Sequence, residues 1–382
     1  MKKTLVKQPV SVGNHHSPLP LAVRSALSRL TVKTRRPYHR HQIRNILVRA
    51  VNWVGDAILT LPALNNIKNF FPAARVTVWA LPRVAPVFYQ QPVVDELIPY
   101  LPKPPGANLT VWLKSLFRLR RQRFDLSIIF PNSVESALTA WATGTPQRAG
   151  YDTDGRGFLL TQAVQGPNLM DGFHQVYRHH GILRAFNQIN YDGFPKLILS
   201  PDEMEAGLQQ LTVYGWRPRQ KIVALSPGAA YGPAKQWRPE RFAAVADRLQ
   251  QELGAFIVLL GSTGDQAAAA KVAEAMDLPP VNLVGRTDLR TAFALISQSD
   301  LLISNDSGLM HAAAALWTPL VALFGSTDPV ATGPFTPLAS VVHHYLPCSP
   351  CRQRQCPEGG QCWDLITVDE VLEQARFWLT RY

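Results

Sequence analysis

The chain has 382 residues, of which 46% are hydrophobic and 17% charged, a balance typical of globular proteins and a length too great for one core. No apolar run approaches the roughly 20 residues a spanning helix needs, and Met1-Lys2-Lys3-Thr4-Leu5-Val6-Lys7 lacks the apolar stretch of a secretory signal. The expectation is a cytoplasmic protein of two domains.

The net charge of +12 is uneven: eleven lysines and arginines precede the first acid, Asp56, and without residues 1–55 the charge is +1. Residues 1–43 therefore read as a basic arm. Val23, Ala26, Leu27 and Leu30 recur in it at helical spacing. A basic amphipathic segment of this kind suits an anionic membrane surface; the competing reading is a disordered arm. No aromatic interleaving or binding module points to nucleic acid.

From residue 44 the chain alternates strand and helix. Asn45–Ala50 reads as a buried strand, and Trp53-Val54-Gly55-Asp56 turns into a helix in which Pro62 predicts a kink or restart. Strands follow at Arg75–Ala80, Val93–Ile98, Phe124–Phe130 and Gln147–Tyr151, with helices at Val111–Arg123 and Ser136–Ala142. A break near Ser200–Arg219 leads to a second series. It comprises strand Ile222–Leu225, a helix opened by Pro239, strand Phe256–Leu260, an alanine-rich helix, strands Asn282–Val284 and Leu301–Ile303, and strand Pro319–Phe324. Such alternation implies parallel sheets. The predicted domains are 44–205 and 206–345, both Rossmann-like, facing a cleft. Residues 346–382 hold a cysteine-rich loop and a last helix, Val368–Leu379, read as packing back on the first domain.

Several places carry chemistry. Ser304-Asn305-Asp306-Ser307-Gly308-Leu309-Met310-His311 is a polar turn between a strand and a small-residue helix. Backbone N–H groups of Ser307, Gly308 and Leu309 at such a start suit a phosphate. Asp306 is either a cap or an acceptor for sugar hydroxyls, and His311 either contacts phosphate or is only packed. Lys235, in the loop Gly232-Pro233-Ala234-Lys235-Gln236-Trp237, suits a diphosphate as a point charge, with Arg238 a second candidate. Asp265, after Gly261-Ser262-Thr263-Gly264, reads equally as a ribose acceptor or a helix cap. Asp56 opens a helix, where a carboxylate either favours the dipole or serves as a base, and Gly55 allows close backbone approach. The cysteines crowd the end as Cys348-x2-Cys351-x4-Cys356-x5-Cys362. A structural metal, zinc above all, is one reading; disulfide or redox pairing and unligated thiols are the others.

Trp53-Val54-Gly55-Asp56, Pro131-Asn132-Ser133, Ser226-Pro227-Gly228 with Gly232–Trp237, and Asn305–His311, in that order, resemble the ADP-heptose:lipopolysaccharide heptosyltransferases of glycosyltransferase family 9, the type II enzymes above all. The resemblance runs from about Asn45 to the C-terminus. It departs in the basic arm and at Gln236, where relatives often carry arginine. It implies the GT-B architecture and inverting transfer of heptose from ADP-heptose to an inner-core heptose of lipopolysaccharide. Asp56 would be the base and Lys235 the phosphate ligand. Gly55, Ser226, Gly228, Gly261, Asp265, Asp306, Ser307, Gly308, Leu309 and His311 would lie on the donor side. Asn132, Ser133 and Arg148 would lie on the acceptor side, with Arg83, Arg118, Arg120 and Arg121 as further candidates that a solvated basic helix explains equally. No catalytic cofactor is expected, because lysine and N–H groups supply the positive potential, and the expected state is a monomer on the inner face of the inner membrane. A different acceptor or nucleotide sugar, including type I- or III-like activity, is the alternative, with a non-catalytic sugar-nucleotide binder behind it.

Overall fold

Short apolar runs ended by glycine, proline and small polar residues become the strands, and the longer amphipathic segments become the helices that cover them. The computed structural model describes residues 19–101, 109–191 and 193–381. Contacts divide the chain between Pro195 and Lys196.

The N-terminal unit holds β1 (Thr31–Thr34), β2 (Asn45–Arg49), β3 (Arg75–Ala80), β4 (Glu96–Pro99), β5 (Leu126–Ile129), β6 (Gln147–Tyr151) and β7 (Gln162–Gln165). Their order is β1-β7-β6-β5-β2-β3-β4. Every pairing is parallel except that of β1 with β7. From β4 to β7 this is the doubly wound Rossmann order, and the topological switch point lies between β2 and β5. Ile46, Leu47, Val48, Val76, Val78, Ile128 and Ile129 are buried, as strands covered on both faces require. Helix Val54–Phe70 follows β2 and runs through Pro62 as one helix, so the expected restart does not occur.

Residues 19–43 are not a detached arm. Helix Leu21–Arg29 buries Val23, Ala26 and Leu27, and Leu30 closes the same face. The next four residues, as β1, pair with β7 from Thr31↔Gln165 to Thr34↔Gln162. The boundary at 43/44 therefore does not stand for the described part of this segment. The helical apolar face read from the sequence is occupied by the protein's own interior. Residues 1–18 lie outside the described residues.

The C-terminal unit holds β8 (Ile222–Ser226), β9 (Phe256–Leu259), β10 (Val281–Asn282), β11 (Leu301–Asn305), β12 (Leu320–Phe324) and β13 (Ala339–His343). The order is β10-β9-β8-β11-β12-β13, all parallel. It is again the Rossmann order, with its switch point between β8 and β11. Helix Pro201–Val213 belongs to this unit, so the division falls before residue 206. Ser200 and Glu203 cap that helix reciprocally, and Glu203 pairs with Arg290 at 2.6 Å. The last helix, Val368–Arg381, packs on its own sheet rather than on the first domain. Val371, Leu372, Ala375 and Trp378 share one core with Leu301, Ile303, Val321 and Leu323. Among the described residues no helix is long and apolar enough to cross a membrane.

Candidate active site

At the C-terminal switch point the loops after β8 and β11 converge. β11 ends in Asn305, whose side chain joins them: Nδ2 donates to the Pro227 carbonyl at 2.7 Å, and Oδ1 accepts from the Trp237 N–H at 3.0 Å. Asp306 is buried. Its Oδ2 lies 2.6 Å from Lys235 Nζ and accepts from Thr327 Oγ1 at 2.7 Å. Ser307 caps helix Gly308–Leu316 by accepting from the Met310 N–H at 3.3 Å. The first-turn N–H groups of that helix and the Lys235 ammonium thus share one end of one sheet, a place suited to an anion. Asp306 neither caps this helix nor stands alone; it anchors Lys235.

His311 sits on the same helix, buried, and its Nδ1 has no hydrogen-bond partner among the described residues. Burial pushes its imidazole down to about 4, against the pull of Asp306 and with the help of Lys235. It is neutral at pH 7 and offers one N–H donor and one acceptor.

Ser226, Gly228, Gly261 and Asp265 gather at the carboxyl ends of β8 and β9. Ser262 donates to Asp265 from both its N–H (2.8 Å) and its hydroxyl (2.7 Å), which makes Asp265 a cap. A Cβ on Gly228 would lie 2.0 Å from Asp265 Oδ1. That glycine is therefore needed first for the close seat of Asp265, whatever else passes near it.

In the N-terminal unit, Gly55 and Asp56 open the helix after β2, and Asn132 and Ser133 follow β5. The two loops flank the switch point between those strands. Asp56 is partly exposed and Gly55 buried. Ser133 caps helix Val134–Ala142 by accepting from the Ser136 N–H at 3.2 Å. The buried Oδ1 of Asn132 has no hydrogen-bond partner among the described residues. Arg148 does not join this set. It lies in the amino-terminal half of β6, level with Ser127. Its guanidinium is taken by the carbonyls of Thr145 and Leu159.

Two buried arginines that the motifs did not single out hold these loops. Arg49 ends β2; its guanidinium lies 3.7 Å above the Tyr100 ring and donates to Asn52 Oδ1 at 3.1 Å. The Tyr100 hydroxyl donates to Glu135, so β2, β4 and the helix after β5 are tied together. Burial lowers the Arg49 pKa, opposed by Tyr100 and Glu135. Arg156 donates to the carbonyls of Pro131 and Ser133 and to Ser136 Oγ, and burial pushes it down to about 10. The sequence signal for Arg49 was a charge inside an apolar strand; Arg156 left none.

The four cysteines are unbonded thiols, and among the described residues no three or more His, Cys, Asp or Glu side chains are placed to hold a metal ion. The metal reading of Cys348, Cys351, Cys356 and Cys362 thus finds no ligating arrangement. Burial pushes the Cys362 thiol up to about 11. Their segment buttresses the Lys235 loop instead. The Trp363 indole N–H donates to the Ala234 carbonyl at 2.9 Å, the Ala234 N–H donates to Arg354 at 3.1 Å, and the Tyr231 hydroxyl donates to Arg352 at 2.8 Å.

Two Rossmann-like units, one with an ammonium and a helix start at its switch point and the other with a helix-start carboxylate at its own, fit a glycosyltransferase of the GT-B class. The comparisons agree. Residues 112–361 match the model of glycosyltransferase family 9 (heptosyltransferase), and the chain belongs to that family. It is 32% identical over 341 residues to lipopolysaccharide heptosyltransferase 2 of Escherichia coli K12, covering 86% of this chain and 97% of that one. It is also 32% identical to lipooligosaccharide heptosyltransferase 2 of Haemophilus ducreyi, over 78% of this chain and 88% of that one. Among solved structures, E. coli ADP-heptose LPS heptosyltransferase II superposes with a TM-score of 0.75 at 29% identity, covering 88% of this chain and 99% of that one.

Proposed function

We propose that this glycosyltransferase moves heptose from ADP-heptose to a heptose of the lipopolysaccharide inner core, with inversion. The observation that carries the reading is the Lys235–Asp306 pair beside the capped helix start of Ser307–Leu309. It offers an ammonium and first-turn backbone N–H groups to the diphosphate of a sugar nucleotide. The names of the relatives above supply heptose and lipopolysaccharide.

In the reaction one bond forms, between the acceptor hydroxyl oxygen and the anomeric carbon, and one breaks, between that carbon and the ADP oxygen. Asp56 takes the hydroxyl proton, which gives the oxygen its nucleophilic pair. Lys235 and the N–H groups of Ser307, Gly308 and Leu309 offset the charge that grows on the departing ADP. His311, held neutral, donates a hydrogen bond without adding charge. Asn132 and Ser133, across the switch point from Asp56, take the acceptor side. The enzyme acts as a monomer on the inner face of the inner membrane, where its lipid-borne acceptor lies. No metal is required, because side-chain and backbone donors supply the positive potential.

The test is transfer itself: the purified chain with ADP-heptose and lipid cores bearing no, one or two heptoses. Turnover confined to the mono-heptosylated core fits the proposal. Turnover on another core, or with another nucleotide sugar only, assigns a different member of the family. Donor binding without turnover on any core assigns a non-catalytic binder.

A further inference from the structure

The apolar face of helix Leu21–Arg29 is buried inside the N-terminal unit and is not open to a membrane. Two neighbouring helices of that unit carry an exposed apolar surface. Helix Leu109–Arg121 precedes β5 and helix Val134–Ala142 follows it. They touch, and the Arg120 side chain lies against Gly144, just past the second helix. Each buries one face and leaves large apolar residues on the other. Leu116 and Leu119 enter a core with Trp79, Tyr100 and Phe124, whereas Leu113 and Phe117 stay outside, Phe117 58% exposed. Ala137 and Ala140 are buried, whereas Val134, Leu138 and Trp141 stay outside, Trp141 54% exposed. The spacings, four on the first helix and four then three on the second, keep each set on one helical face.

An interior would have claimed these side chains, and a surface facing only water rarely lines up five of them. Charge says what covers them. Lys114, Arg118, Arg120 and Arg121 are exposed on the first helix, and Arg121 stacks on Phe117 at 4.8 Å. No acid lies between Leu109 and Arg121. The one acid of the second helix, Glu135, accepts from Tyr100. Aromatic and aliphatic side chains ringed by cations, with tryptophan among them, match the chemistry of an anionic lipid interface. The second stripe begins at Val134, next to the acceptor-side pair Asn132 and Ser133.

We propose that Leu113, Phe117, Val134, Leu138 and Trp141, with the cations of helix Leu109–Arg121, form the surface by which this enzyme docks on an anionic lipid bilayer. This deepens the proposed function and rests on its lipid-borne acceptor.

The experiment compares the full chain with its Leu113→Ser/Phe117→Ser/Leu138→Ser/Trp141→Ser variant. Co-sedimentation is measured with vesicles of phosphatidylethanolamine and phosphatidylglycerol, and turnover is measured separately on a deacylated, water-soluble acceptor. The variant is expected to lose vesicle affinity by about tenfold or more and to keep its soluble turnover. Binding of the unmodified chain is expected to fall as salt rises from about 0.1 M to about 0.5 M. Equal sedimentation of the two proteins overturns the surface. So does a dimer of the unmodified chain that the variant dissolves, because it gives the face to a second copy. Absence of turnover on the soluble acceptor by both proteins, with vesicle binding intact and sensitive to the variant, overturns the acceptor assignment and leaves the surface standing. If the quadruple variant does not fold, Phe117→Ser and Trp141→Ser singly carry the same test, each with an expected loss of about threefold; unchanged binding by both overturns it.

Discussion

Lys235 Nζ stands 2.6 Å from Asp306 Oδ2, with the lysine side chain 15% and the aspartate side chain 6% exposed. A loop after β8 and a loop after β11 are thereby locked by one ion pair at the switch point of their sheet. Removing the carboxylate leaves a largely buried ammonium without its partner, a loss of about 3–5 kcal/mol for pairs of this kind. Asp306→Ala is expected to lower the thermal midpoint sharply, and Lys235→Met/Asp306→Leu to recover part of it. Midpoints that simply add would show the pair to be uncoupled.

Lys235 itself is expected to matter more to the transition state than to the ground state. Lys235→Ala should lower kcat by about 10²–10³, the range for one donor to a developing anion. Steady-state kinetics with varied ADP-heptose checks this. A change in donor KM alone, with kcat intact, would make Lys235 a binding residue only.

Gly232 stands at φ +153°, and a Cβ there would lie 2.5 Å from the Arg354 carbonyl oxygen. Gly232→Ala is expected to push the Lys235 loop off the cysteine-bearing segment. Both thermal midpoint and kcat/KM should fall, and unchanged kinetics would show that this buttress does not set the loop.

Burial lowers three imidazoles: His179 to about 3, helped by Arg178 and His174; His180 to about 4, opposed by its backbone partners at Asn190 and Ile189; and His311 to about 4. Their unfolded value is about 6.5, so between roughly pH 6.5 and 4 the unfolded chain binds more protons than the folded one. Stability is full above that window and falls as pH drops through it, by about 1.4 kcal/mol per pH unit for each histidine. Denaturation between pH 7.5 and 4.5 measures the slope. His311→Gln should flatten it by the share of one proton, and a slope unchanged by that variant would place the charge elsewhere.

Deleting residues 1–43 removes β1 from its partner β7 and Val23, Ala26 and Leu27 from the core. The deletion is expected to lower the thermal midpoint of the N-terminal unit and to expose β7. A midpoint equal to that of the full chain would restore the reading of this segment as an appended arm.

Much of this was legible in the chain. The alternation of apolar runs and amphipathic segments predicted two parallel sheets, because β strands covered on both faces and helices covered on one leave different periodicities. The places of Asp56 at a helix start and of Lys235 and Asp306 beyond strands were readable because each follows a strand and stands beside glycine or small residues. The arm was misread because the same amphipathic spacing serves a membrane and a protein interior alike, and β1 is too short and too exposed to announce itself. Arg148 looked equivalent to Asn132, yet which end of a strand a residue occupies depends on register, which only pairing fixes. Arg49 and Arg156 act through partners far along the chain, and spacing carries no record of such contacts.

Asp56 at the β2 switch point is the group on which the proposed chemistry turns. The most direct test is heptose transfer by the full chain and by Asp56→Asn, beside ADP-heptose binding by calorimetry. Asp56→Asn is expected to lower kcat by about 10²–10⁴, the share of a general base, with donor affinity held within about twofold. Asp56→Asn turning over at the rate of the unmodified chain would contradict the base role.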